Sequence, residues 1–256
     1  MATKINNIRQ SIPTGGVLTS AWLASQNVQR GEQTKYVHSG WLVRLTQGVY
    51  QFAGDDALLY MALATYLEQT DCRCHVGASS ALDLRGYTQF LALAKPQAFL
   101  FTRKEDKLQK WLGARDWNMD IRLVATSVFA EECGIEFFEI NGHQLRISSP
   151  ERAIMECLYL FPKHFALMDT YYVMEMLTAL RPKLVSELLQ KCTSVKVKRL
   201  FLYMAEKANF PWFKALKLDG VDLGSGIRGL VTGGVLNAKY KITIPKELAE
   251  TEDEQS

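Results

Sequence analysis

Long polar and basic side chains near the start of the chain could bind a nucleic acid. They follow one another in one short stretch: Arg30, Gln33, Thr34, Lys35 and His38. When such side chains project from a helix, they can reach base edges and phosphate oxygens in a groove of duplex DNA. Residues 1 to 54 contain five lysine and arginine residues and one acid, Glu32. We expect that acid to repel phosphate unless it accepts from a cytosine amino group.

A second set of candidate phosphate ligands flanks this stretch on both sides. Arg44, Thr46 and Gln47 lie in a sequence that predicts a hairpin, and their side chains could bind phosphate oxygens. Thr19 and Ser20 stand where a helix is expected to begin, and the N-terminus of a helix attracts anions. The two sets together predict a DNA-binding face built from helices and a hairpin.

The elements that must position these side chains have clear start and stop signals. Three short helices are predicted: Thr3 to Ile12 before Pro13, the Thr19 cap to about Gln26, and about Arg30 to Ser39 before Gly40. Two runs rich in β-branched and aromatic residues, Trp41 to Leu45 and Val49 to Phe52, predict an antiparallel hairpin. This order is typical of a winged helix-turn-helix, whose third helix enters the major groove and whose hairpin is the wing. Val28 and Tyr36 are expected in its core.

The rest of the chain predicts a mixed α/β region that becomes helical. A helix over 55–70 is expected to link the winged module to it, followed by a short strand at CHV and a helix over GASSALDLRG. The later predicted elements are strands at Gln97–Thr102 and Met119–Ala125, a hairpin turning at Asn141-Gly142, a helix capped by Ser148 and Glu151 around Pro150, helices from Phe165 to Asn209, and then glycine-broken strands. The last residues, ETEDEQS, predict an acidic, frayed tail.

Several stretches that could suggest catalysis lack the partners that the chemistry needs. The segment LGSGIRGLVTGG has no Gly-Lys-Ser/Thr ending of a phosphate loop. In GASSALD, Asp83 stands alone where a nucleotidyltransferase needs a metal-binding pair of carboxylates. Cys72, Cys74 and His75 have no second pair of ligands at the spacing of a zinc site. We therefore expect no enzymatic activity, no metal and no cofactor.

A dense run of basic residues is a second candidate for binding an anionic partner. It consists of Arg181, Lys183, Lys191, Lys196, Lys198, Arg199, Lys207, Lys214 and Lys217, with only Glu187 and Glu206 as acids. An anionic partner and a solvated helix face both explain such a run, because Lys198 and Arg199 adjoin apolar residues that must pack inward. The sequence leaves both explanations open.

The composition is that of a folded protein with ordinary cores. The chain has 256 residues, of which 48% are hydrophobic, enough for one large or two ordinary domains. Its formal charge of +3 is too small to indicate nucleic-acid binding by itself, so the local basic segments carry that argument. The sequence has no window as long and apolar as a membrane span and no secretory signal at its start. Five scattered cysteines favour reduced thiols and a cytoplasmic protein.

Six blocks of sequence stand in a characteristic order along nearly the full length of the chain. They are GVLTSAWL, YVHSGWLVRLTQGVYQFAGDD, HVGASSALDLRGY, SSPERAIMECL, LRPKLVSELLQKCTSVKVKRLFLYMAEKANFPWF and VDLGSG. In composition and order they resemble the AbiEi antitoxins of bacterial type IV toxin–antitoxin (abortive infection) systems, which act in phage defence. The resemblance implies a winged-helix domain that represses its own operon at upstream inverted repeats. It also implies a larger C-terminal domain that counters a toxin of the nucleotidyltransferase type.

The resemblance also implies where contacts lie. It places DNA contacts at the Thr19-Ser20 helix start, on the helix with Thr34 and Lys35, and on the wing around Arg44 and Thr46. It places the antitoxin surface in the block with Ser194, Lys196, Lys198 and Arg199, and we add Arg181 and Lys183 to this surface. Two positions depart from the family pattern: Gln29, where a serine opens the recognition helix, and Ile227, where a basic residue follows LGSG. Gln29 weakens the expectation of a serine cap on the third helix. Ile227 weakens the expectation that the LGSG loop binds an anion.

These observations predict an α+β fold in three parts. A winged helix-turn-helix in residues 1–54 and a linker helix over 55–71 precede a larger mixed α/β antitoxin domain over 72–256, whose C-terminal half is helical. The expected partners are double-stranded DNA at inverted repeats in its own promoter and a cognate nucleotidyltransferase toxin, countered directly or through a shared target such as an RNA. We expect no membrane contact, and a monomer in solution that can bind DNA cooperatively.

Two alternatives remain open at this point. A winged-helix regulator whose C-terminal part senses a small molecule would need a closed apolar pocket. An enzyme tethered to DNA would need convergent carboxylates or a metal site.

Overall fold

The computed structural model describes residues 2–56, 58–87, 95–103, 110–113, 115–130 and 132–250. The predicted acidic tail lies outside these residues from 251 onward. The chain forms two compact units, each assembled from separate stretches of sequence. The first contains Met1–Val76, Ala92–Ala125 and Phe137–Ile147, and the second contains Gly77–Leu91, Thr126–Glu136 and Ser148–Ser256. The division of the chain at residues 54 and 71 stays a prediction.

The first unit begins with the predicted winged helix-turn-helix. Its elements are α1 (Ala2–Ser11), β1 (Leu18–Thr19), α2 (Ser20–Ser25), α3 (Arg30–His38), β2 (Leu42–Thr46) and β3 (Val49–Phe52). β3 is the central strand of a three-stranded sheet and pairs antiparallel with both β1 and β2. The three predicted helices and the hairpin are confirmed, with small differences at their ends.

Local side-chain and backbone chemistry sets the boundaries of these elements. Thr19 caps α2, because its Oγ1 accepts a hydrogen bond from the Trp22 backbone N at 3.2 Å. Gly40 follows α3 with a φ of +73°, which a residue with a Cβ adopts only with strain. The hairpin turns at Gly48, whose φ is +78°, after a bulge between Arg44 and Thr46.

Side chains from all of these elements form one apolar core. The buried residues of this core are Ile5, Ile8, Ile12, Leu18, Leu23, Val28, Tyr36, Leu42, Tyr50 and Phe52. Ile5, Ile8 and Ile12 follow helical spacing, so one face of α1 packs inward. Val28 and Tyr36 lie in the core, as the sequence predicts. Burying each large side chain contributes roughly 1.5–3 kcal/mol before the conformational entropy of the chain is subtracted.

The helix predicted over 55–70 is α4 (Leu59–Glu68). It is hydrogen-bonded to one edge of the three-stranded sheet β1-β3-β2, which we call the wing sheet. Thr65 Oγ1 accepts from the Val17 backbone N at 2.9 Å, and Gln69 Oε1 accepts from the Thr19 N at 2.7 Å. Gln69 Nε2 donates to the Val17 carbonyl at 2.8 Å. Because β1 is an edge strand, these bonds occupy backbone groups that another strand would otherwise pair with.

A five-stranded mixed sheet follows α4. Its strands are β4 (His75–Val76), β5 (Gln97–Thr102), β6 (Asp120–Ala125), β7 (Ile135–Ile140) and β8 (His143–Ser148), in the order β6-β5-β4-β8-β7. β5 pairs parallel with β6 and antiparallel with β4, which in turn pairs parallel with β8. Asn141 and Gly142 have φ values of +47° and +79°, so the predicted type I′ corner between β7 and β8 is confirmed.

Helices dominate the second unit. They are α5 (Ala78–Leu84), α6 (Pro150–Leu160), α7 (Leu167–Met176), α8 (Pro182–Lys191), α9 (Val195–Lys207) and α10 (Lys246–Glu250), with a 3-10 helix at Pro211–Ala215. α6 is central, because it packs against α5, α7, α8 and α9. The short strands β9 (Val235–Asn237) and β10 (Ile242–Ile244) pair antiparallel. Among the described residues, no helix has the length and apolarity needed to cross a bilayer.

Two local predictions in this unit need correction. Ser149, not Ser148, caps α6, and its Oγ accepts from the Arg152 backbone N at 3.4 Å. Ser148 instead donates its hydroxyl to Glu156 Oε2 at 2.8 Å, inside the protein. The predicted strands after residue 221 reduce to β9 and β10, and α10 follows where no helix was predicted. Pro245 directly precedes α10, which suits a proline just before a helix.

Candidate nucleic-acid interface

One cleft of about 420 Å³ in the first unit collects six of the ten predicted DNA-binding residues. It is lined by Ser20, Arg30, Gln33, Thr34, Arg44, Gln47, Gly48 and Tyr50. These residues come from the start of α2, from α3 and from the wing. The backbone N of Ser20 donates to the Gly48 carbonyl at 2.8 Å, which joins the start of α2 to the corner of the wing. The fold therefore brings the helix and hairpin candidates to one place.

The outer face of α3 is polar and basic. Arg30, Thr34 and His38 follow one another at four-residue intervals and are exposed, and Lys35 is exposed beside them. Thr34 Oγ1 donates to the Arg30 carbonyl at 3.0 Å, and His38 Nδ1 lies 2.8 Å from the Thr34 carbonyl. Arg30 and Lys35 make no ion pair with any residue that the structure describes. Both cations are therefore available to an anion in solution.

The wing presents a third cation. Arg44 is exposed, and its Nε donates to the Thr46 carbonyl at 3.4 Å, while Gln47 is exposed at the corner. Thr46 is half-buried. On the same hairpin, Trp41 and Val43 are 46% and 49% exposed. The wing thus combines one charge, polar groups and accessible apolar surface.

Two predicted contact residues have structural positions instead. Gln33 is 1% exposed and holds α3 against the start of α2. Its Oε1 accepts from Ser20 Oγ at 2.7 Å, and its Nε2 donates to the carbonyls of Ser20 at 3.1 Å and Val28 at 2.9 Å. Thr19 is 6% exposed and caps α2. Gln33 lines the cleft through a side chain that is bonded internally, and Thr19 supports the start of α2.

Glu32, the acid that was expected to repel phosphate, forms a hydrogen bond and an ion pair within the protein. Its Oε2 accepts from the Gln29 backbone N at 3.3 Å at the start of α3, and its Oε1 lies 3.2 Å from Lys4 Nζ. The hydrogen bond from Lys4 holds the pKa of Glu32 below its usual value, so the carboxylate is ionised and paired. Its place three residues after the N-cap residue Gln29 is the sequence signal for such a bond. This bond supports the helix start where Gln29 departs from the family pattern.

Arg9 also has an acidic partner within the first unit. Its guanidinium binds both oxygens of Asp55, at 2.8 and 2.7 Å, and lies 4.7 Å from the centre of the Phe52 ring. Of the five cations in residues 1–54, this contact and the Lys4 pair leave three without an acidic partner in the described part of the chain. They are Arg30, Lys35 and Arg44.

The second basic segment is less exposed than its sequence suggests. Lys198 and Arg199 are 4% and 2% exposed. Arg199 Nε donates to the Leu223 carbonyl at 2.6 Å, and its Nη1 donates to the carbonyls of Gly226 at 2.6 Å and Lys241 at 3.0 Å. This guanidinium holds the LGSG loop in place. The expectation that these two residues present charge on a surface is corrected, because both are enclosed.

Other members of the predicted antitoxin surface are also engaged. Lys196 is half-buried and donates to the carbonyls of Tyr159 at 2.9 Å and Phe161 at 2.5 Å, and burial lowers its pKa. Arg181 binds Glu151 through Nε and Nη2, each at 2.8 Å, and Glu136 through Nη2 at 2.5 Å. The hydrogen bonds that Arg181 donates to Glu151 raise the pKa of Arg181. Ser194 caps α9.

A groove of about 650 Å³ carries the accessible part of the basic run. It is lined by Pro182, Lys183, Ser186, Glu187, Gln190, Ala215 and Lys217. Lys183 and Lys217 are exposed and make no ion pair within the described chain, whereas Glu187 is paired with Lys191 at 2.6 Å. Two unpaired cations therefore face one groove, although Lys217 was predicted only as part of the wider run.

The two cysteines beside β4 are free thiols that differ in burial. Cys74 is fully buried, Cys72 is half-buried, and the ring of His75 stacks on Phe101 with centroids 5.5 Å apart. Across the described ranges, no three Cys, His, Asp or Glu side chains are grouped to hold a metal ion.

Comparison with known protein families matches the chain in two adjoining parts. Residues 1–93 match the family described as "Transcriptional regulator, AbiEi antitoxin N-terminal domain". Residues 95–245 match the family described as "Transcriptional regulator, AbiEi antitoxin, Type IV TA system". Comparison with curated protein sequences gives no match.

Among solved structures, the chain is similar to the crystal structure of the RV2827C protein from Mycobacterium tuberculosis. The TM-score is 0.66 at 14% sequence identity, over 98% of this chain and 94% of that one. At this identity the similarity shows a shared fold over nearly the whole of both chains.

Proposed function

Since the chain belongs to the AbiEi antitoxin family, the transcriptional regulators of type IV toxin–antitoxin systems, we propose that it represses its own operon and counters a cognate toxin. Residues of the winged helix-turn-helix bind inverted repeats in the promoter. The second unit acts against a nucleotidyltransferase-type toxin. The chain acts by binding and not by catalysis.

The observation that carries the DNA-binding proposal is the cleft between α3 and the wing. Arg30 and Arg44 line it without an ion pair in the described chain, and Lys35 is exposed on the same helix as Arg30, while the other two cations of this region are paired internally. Thr34 and His38 are exposed on α3 at the spacing of one helix face. An α-helix fits the major groove of B-DNA, and its outward side chains then meet the base edges.

Each exposed cation has a distinct part in the proposed complex. Arg44 on the wing binds a backbone phosphate, whereas Arg30 and Lys35 reach phosphate or base edges from α3. Ser20, at the start of α2, supports the cleft and binds no phosphate, because its hydroxyl donates to Gln33 Oε1 and its backbone N donates to the Gly48 carbonyl. Gln33 and Thr19 act by holding α3 and α2 in place. Phosphate contacts of this kind make the affinity depend on salt.

The antitoxin function is proposed for the groove that Lys183 and Lys217 face. These cations suit an anionic partner, which is either the acidic surface of the toxin or the phosphates of a shared RNA target. Lys198 and Arg199 take no part in this contact, because they are enclosed. Arg181 takes part only through the exposed side of its ion pairs with Glu151 and Glu136.

A crossed experiment on the full chain tests both halves of the proposal. One variant carries Lys35→Ala with Arg44→Ala, and the other carries Lys183→Glu with Lys217→Glu. The first is expected to weaken binding to the upstream repeat and to reduce the slope of affinity against salt by up to about one unit for each cation lost. It should leave rescue of cells that express the neighbouring toxin intact. The second is expected to abolish rescue and to retain repeat binding.

Each variant is the control for the other, and thermal unfolding checks that both are folded. Wild-type binding of the repeat by the first variant at physiological salt would reject the cleft as the DNA site. Undiminished rescue by the second variant would reject the Lys183–Lys217 groove. Loss of both activities in one variant would mean that the two surfaces are not separable.

A further inference from the structure

One hydroxyl group in the cleft between α3 and the wing has no partner in the described part of the protein. Three residues that line this cleft carry a hydroxyl: Ser20, Thr34 and Tyr50. Ser20 Oγ donates to Gln33 Oε1 at 2.7 Å, and Thr34 Oγ1 donates to the Arg30 carbonyl at 3.0 Å. The Tyr50 hydroxyl makes no hydrogen bond to any residue that the structure describes. Since a hydroxyl has one proton to donate, Tyr50 is the one of these three whose proton is free for a ligand.

The position of Tyr50 brings its hydroxyl to the cleft. Tyr50 is 9% exposed and belongs to the apolar core of the winged helix-turn-helix. The hydroxyl is not among the enclosed polar atoms that lack a partner in the described chain, so solvent reaches it. Because the residue packs in the core and also lines the cleft, the hydroxyl is the end that faces the cleft. Tyrosines with an apolar body and a wet polar end are enriched at binding surfaces.

Arg44 stands directly opposite Tyr50 in the hairpin. The register of β2 and β3 pairs Arg44 with Tyr50, and it pairs Leu42 with Phe52 two residues away on the same face. Leu42 and Phe52 are buried in the core, so the Arg44–Tyr50 pair continues that face outward to the cleft. Directly opposed side chains on an antiparallel pair have Cβ atoms about 4.5–5.5 Å apart. The guanidinium and the phenol therefore start from neighbouring points of the cleft wall.

These two side chains supply the donors that a phosphate requires. Arg44 Nε donates to the Thr46 carbonyl at 3.4 Å, and its Nη groups make no hydrogen bond to any described residue. The oxygens of a phosphate diester accept hydrogen bonds, so each protein group that binds them must donate. Packing in the core already restricts the Tyr50 ring, so its hydroxyl can bind with little further loss of side-chain entropy.

We propose that the Tyr50 hydroxyl and the Arg44 guanidinium bind the same backbone phosphate of the upstream repeat. This inference rests on the proposed DNA-binding function and adds a contact residue that carries no charge. Arg44 supplies the positive charge, and Tyr50 supplies a neutral donor that the core holds in place. A free phosphate ion offers the same kind of oxygen as the DNA backbone, and the experiment separates the two.

Tyr50→Phe removes the hydroxyl and keeps the ring in the core. Anisotropy of a labelled duplex of the upstream repeat measures the affinity of the full chain at several salt concentrations. We expect Tyr50→Phe to weaken binding about tenfold, as for a hydrogen bond to a charged group, and to keep the melting temperature of the wild type. The slope of affinity against salt should not change, because no charge is lost, whereas Arg44→Ala should reduce it by about one unit.

Two further variants and a second duplex make the test specific. Arg44→Ala combined with Tyr50→Phe should lose less affinity than the product of the two single losses, because both side chains bind one phosphate. Tyr36→Phe is the matched control, since Tyr36 lies in the same core but outside the cleft lining, and it should leave the affinity unchanged. Tyr50→Phe should weaken binding to a duplex of unrelated sequence by the same factor, because every duplex carries the phosphate.

Wild-type affinity of Tyr50→Phe, with a reduced salt slope for Arg44→Ala, would overturn the inference and leave the DNA-binding function standing. Failure of the wild-type chain to bind the repeat would reject the proposed function and this inference with it. Single losses that multiply in the double variant, or an equal loss in Tyr36→Phe, would overturn the shared phosphate. A loss confined to the upstream repeat would assign the hydroxyl to a base edge instead.

Inorganic phosphate, exchanged for chloride at constant ionic strength, distinguishes the source of the phosphate. It should release no more DNA from the wild-type chain than chloride does. Release of DNA by phosphate from the wild type, but not from Tyr50→Phe, would assign the Arg44–Tyr50 pair to a free anion and overturn the backbone contact.

Discussion

Gln33 points into the protein and holds α3 in place, whereas the exposed side chains around it are proposed to contact DNA. Its side chain is 1% exposed, and its amide makes three hydrogen bonds, to Ser20 Oγ and to the carbonyls of Ser20 and Val28. A buried amide with satisfied partners is stabilising, but its removal leaves those partners without hydrogen bonds. Gln33 therefore fixes the angle at which α3 leaves the turn after α2.

We predict that Gln33→Ala lowers the free energy of unfolding by about 2 kcal/mol, because it leaves buried carbonyls unpaired and opens a small cavity. Thr34→Ala is the matched control in the next position. Thr34 is exposed and its hydroxyl bonds only to its own helix, so its removal should change the free energy of unfolding by less than about 0.5 kcal/mol. Urea unfolding of the two variants checks the prediction, and equal losses would contradict the structural role of Gln33.

At the scale of single residues, the sequence gives the type of each side chain but does not show whether that side chain is exposed. Arg30, Lys35 and Arg44 are polar by sequence and exposed in the structure. Gln33 is also polar but is buried against the start of α2, and Arg199 is an arginine that binds three backbone carbonyls. Those carbonyls come from residues 24 to 42 positions away along the chain, so no local pattern could have indicated them.

At the scale of elements, α4 acts as a substitute strand. Gln69 places an amide oxygen and an amide nitrogen beside β1, where a neighbouring strand would place a peptide group. Thr65 adds a further acceptor for the Val17 N–H. A helix that satisfies an edge in this way also blocks pairing with another chain. The wing sheet thereby keeps one edge closed while β2 remains the other edge.

We predict that Gln69→Ala destabilises the full chain by about 1–3 kcal/mol, because backbone groups of Val17 and Thr19 lose their partners. Gln69→Glu should cost less than the alanine change, because one carboxylate oxygen can still accept from Thr19 N. Gln10→Ala, an exposed change on α1, is the control and should be nearly neutral. Thermal unfolding measures all three. A melting temperature for Gln69→Ala equal to that of Gln10→Ala would show that the bonds to β1 contribute nothing.

The elements that the sequence predicts well are those with local signals. The Thr19 cap, the glycine after α3 and the Asn141-Gly142 corner each lie where a single residue type has a physical advantage. The order of the five-stranded sheet had no such signal. β5 pairs parallel with β6 and β4 pairs parallel with β8, and such pairings depend on contacts between distant residues. The α6 cap was displaced by one position because Ser148 and Ser149 have equal capping chemistry.

At the scale of the whole molecule, the first unit is discontinuous in sequence. It contains Met1–Val76 but also two later stretches, and side chains from those stretches complete it. Arg115 donates to the side chain of Gln51 on β3 and to the Asp55 carbonyl. Glu68 of α4 accepts from His143 Nδ1 at 2.7 Å and from the Gln144 N at 2.8 Å. The winged helix-turn-helix and the mixed sheet thus share one folded body.

This arrangement predicts the behaviour of a chain cut between α4 and β4. A fragment of residues 72–256 lacks Glu68 and also Tyr66, whose ring packs on Trp111 with centroids 5.1 Å apart. Trp111 is completely buried in the full chain, so the cut exposes a large apolar surface. We expect the fragment to unfold at a temperature at least about 5 °C lower than the full chain, because a loss of a few kcal/mol in stability shifts the midpoint by that much. We also expect the fragment to bind a hydrophobic dye, because its apolar surface is exposed.

Circular dichroism melts of the fragment and the full chain, with dye fluorescence at the starting temperature, measure both effects. Trp111→Phe in the full chain is the matched control, because it removes part of the indole but keeps α4 in place. This variant should have a melting temperature between those of the fragment and the full chain. A fragment that melts cooperatively at the temperature of the full chain, without dye binding, would show that the mixed sheet folds independently of α4. Such a result would support the predicted boundary at residue 71.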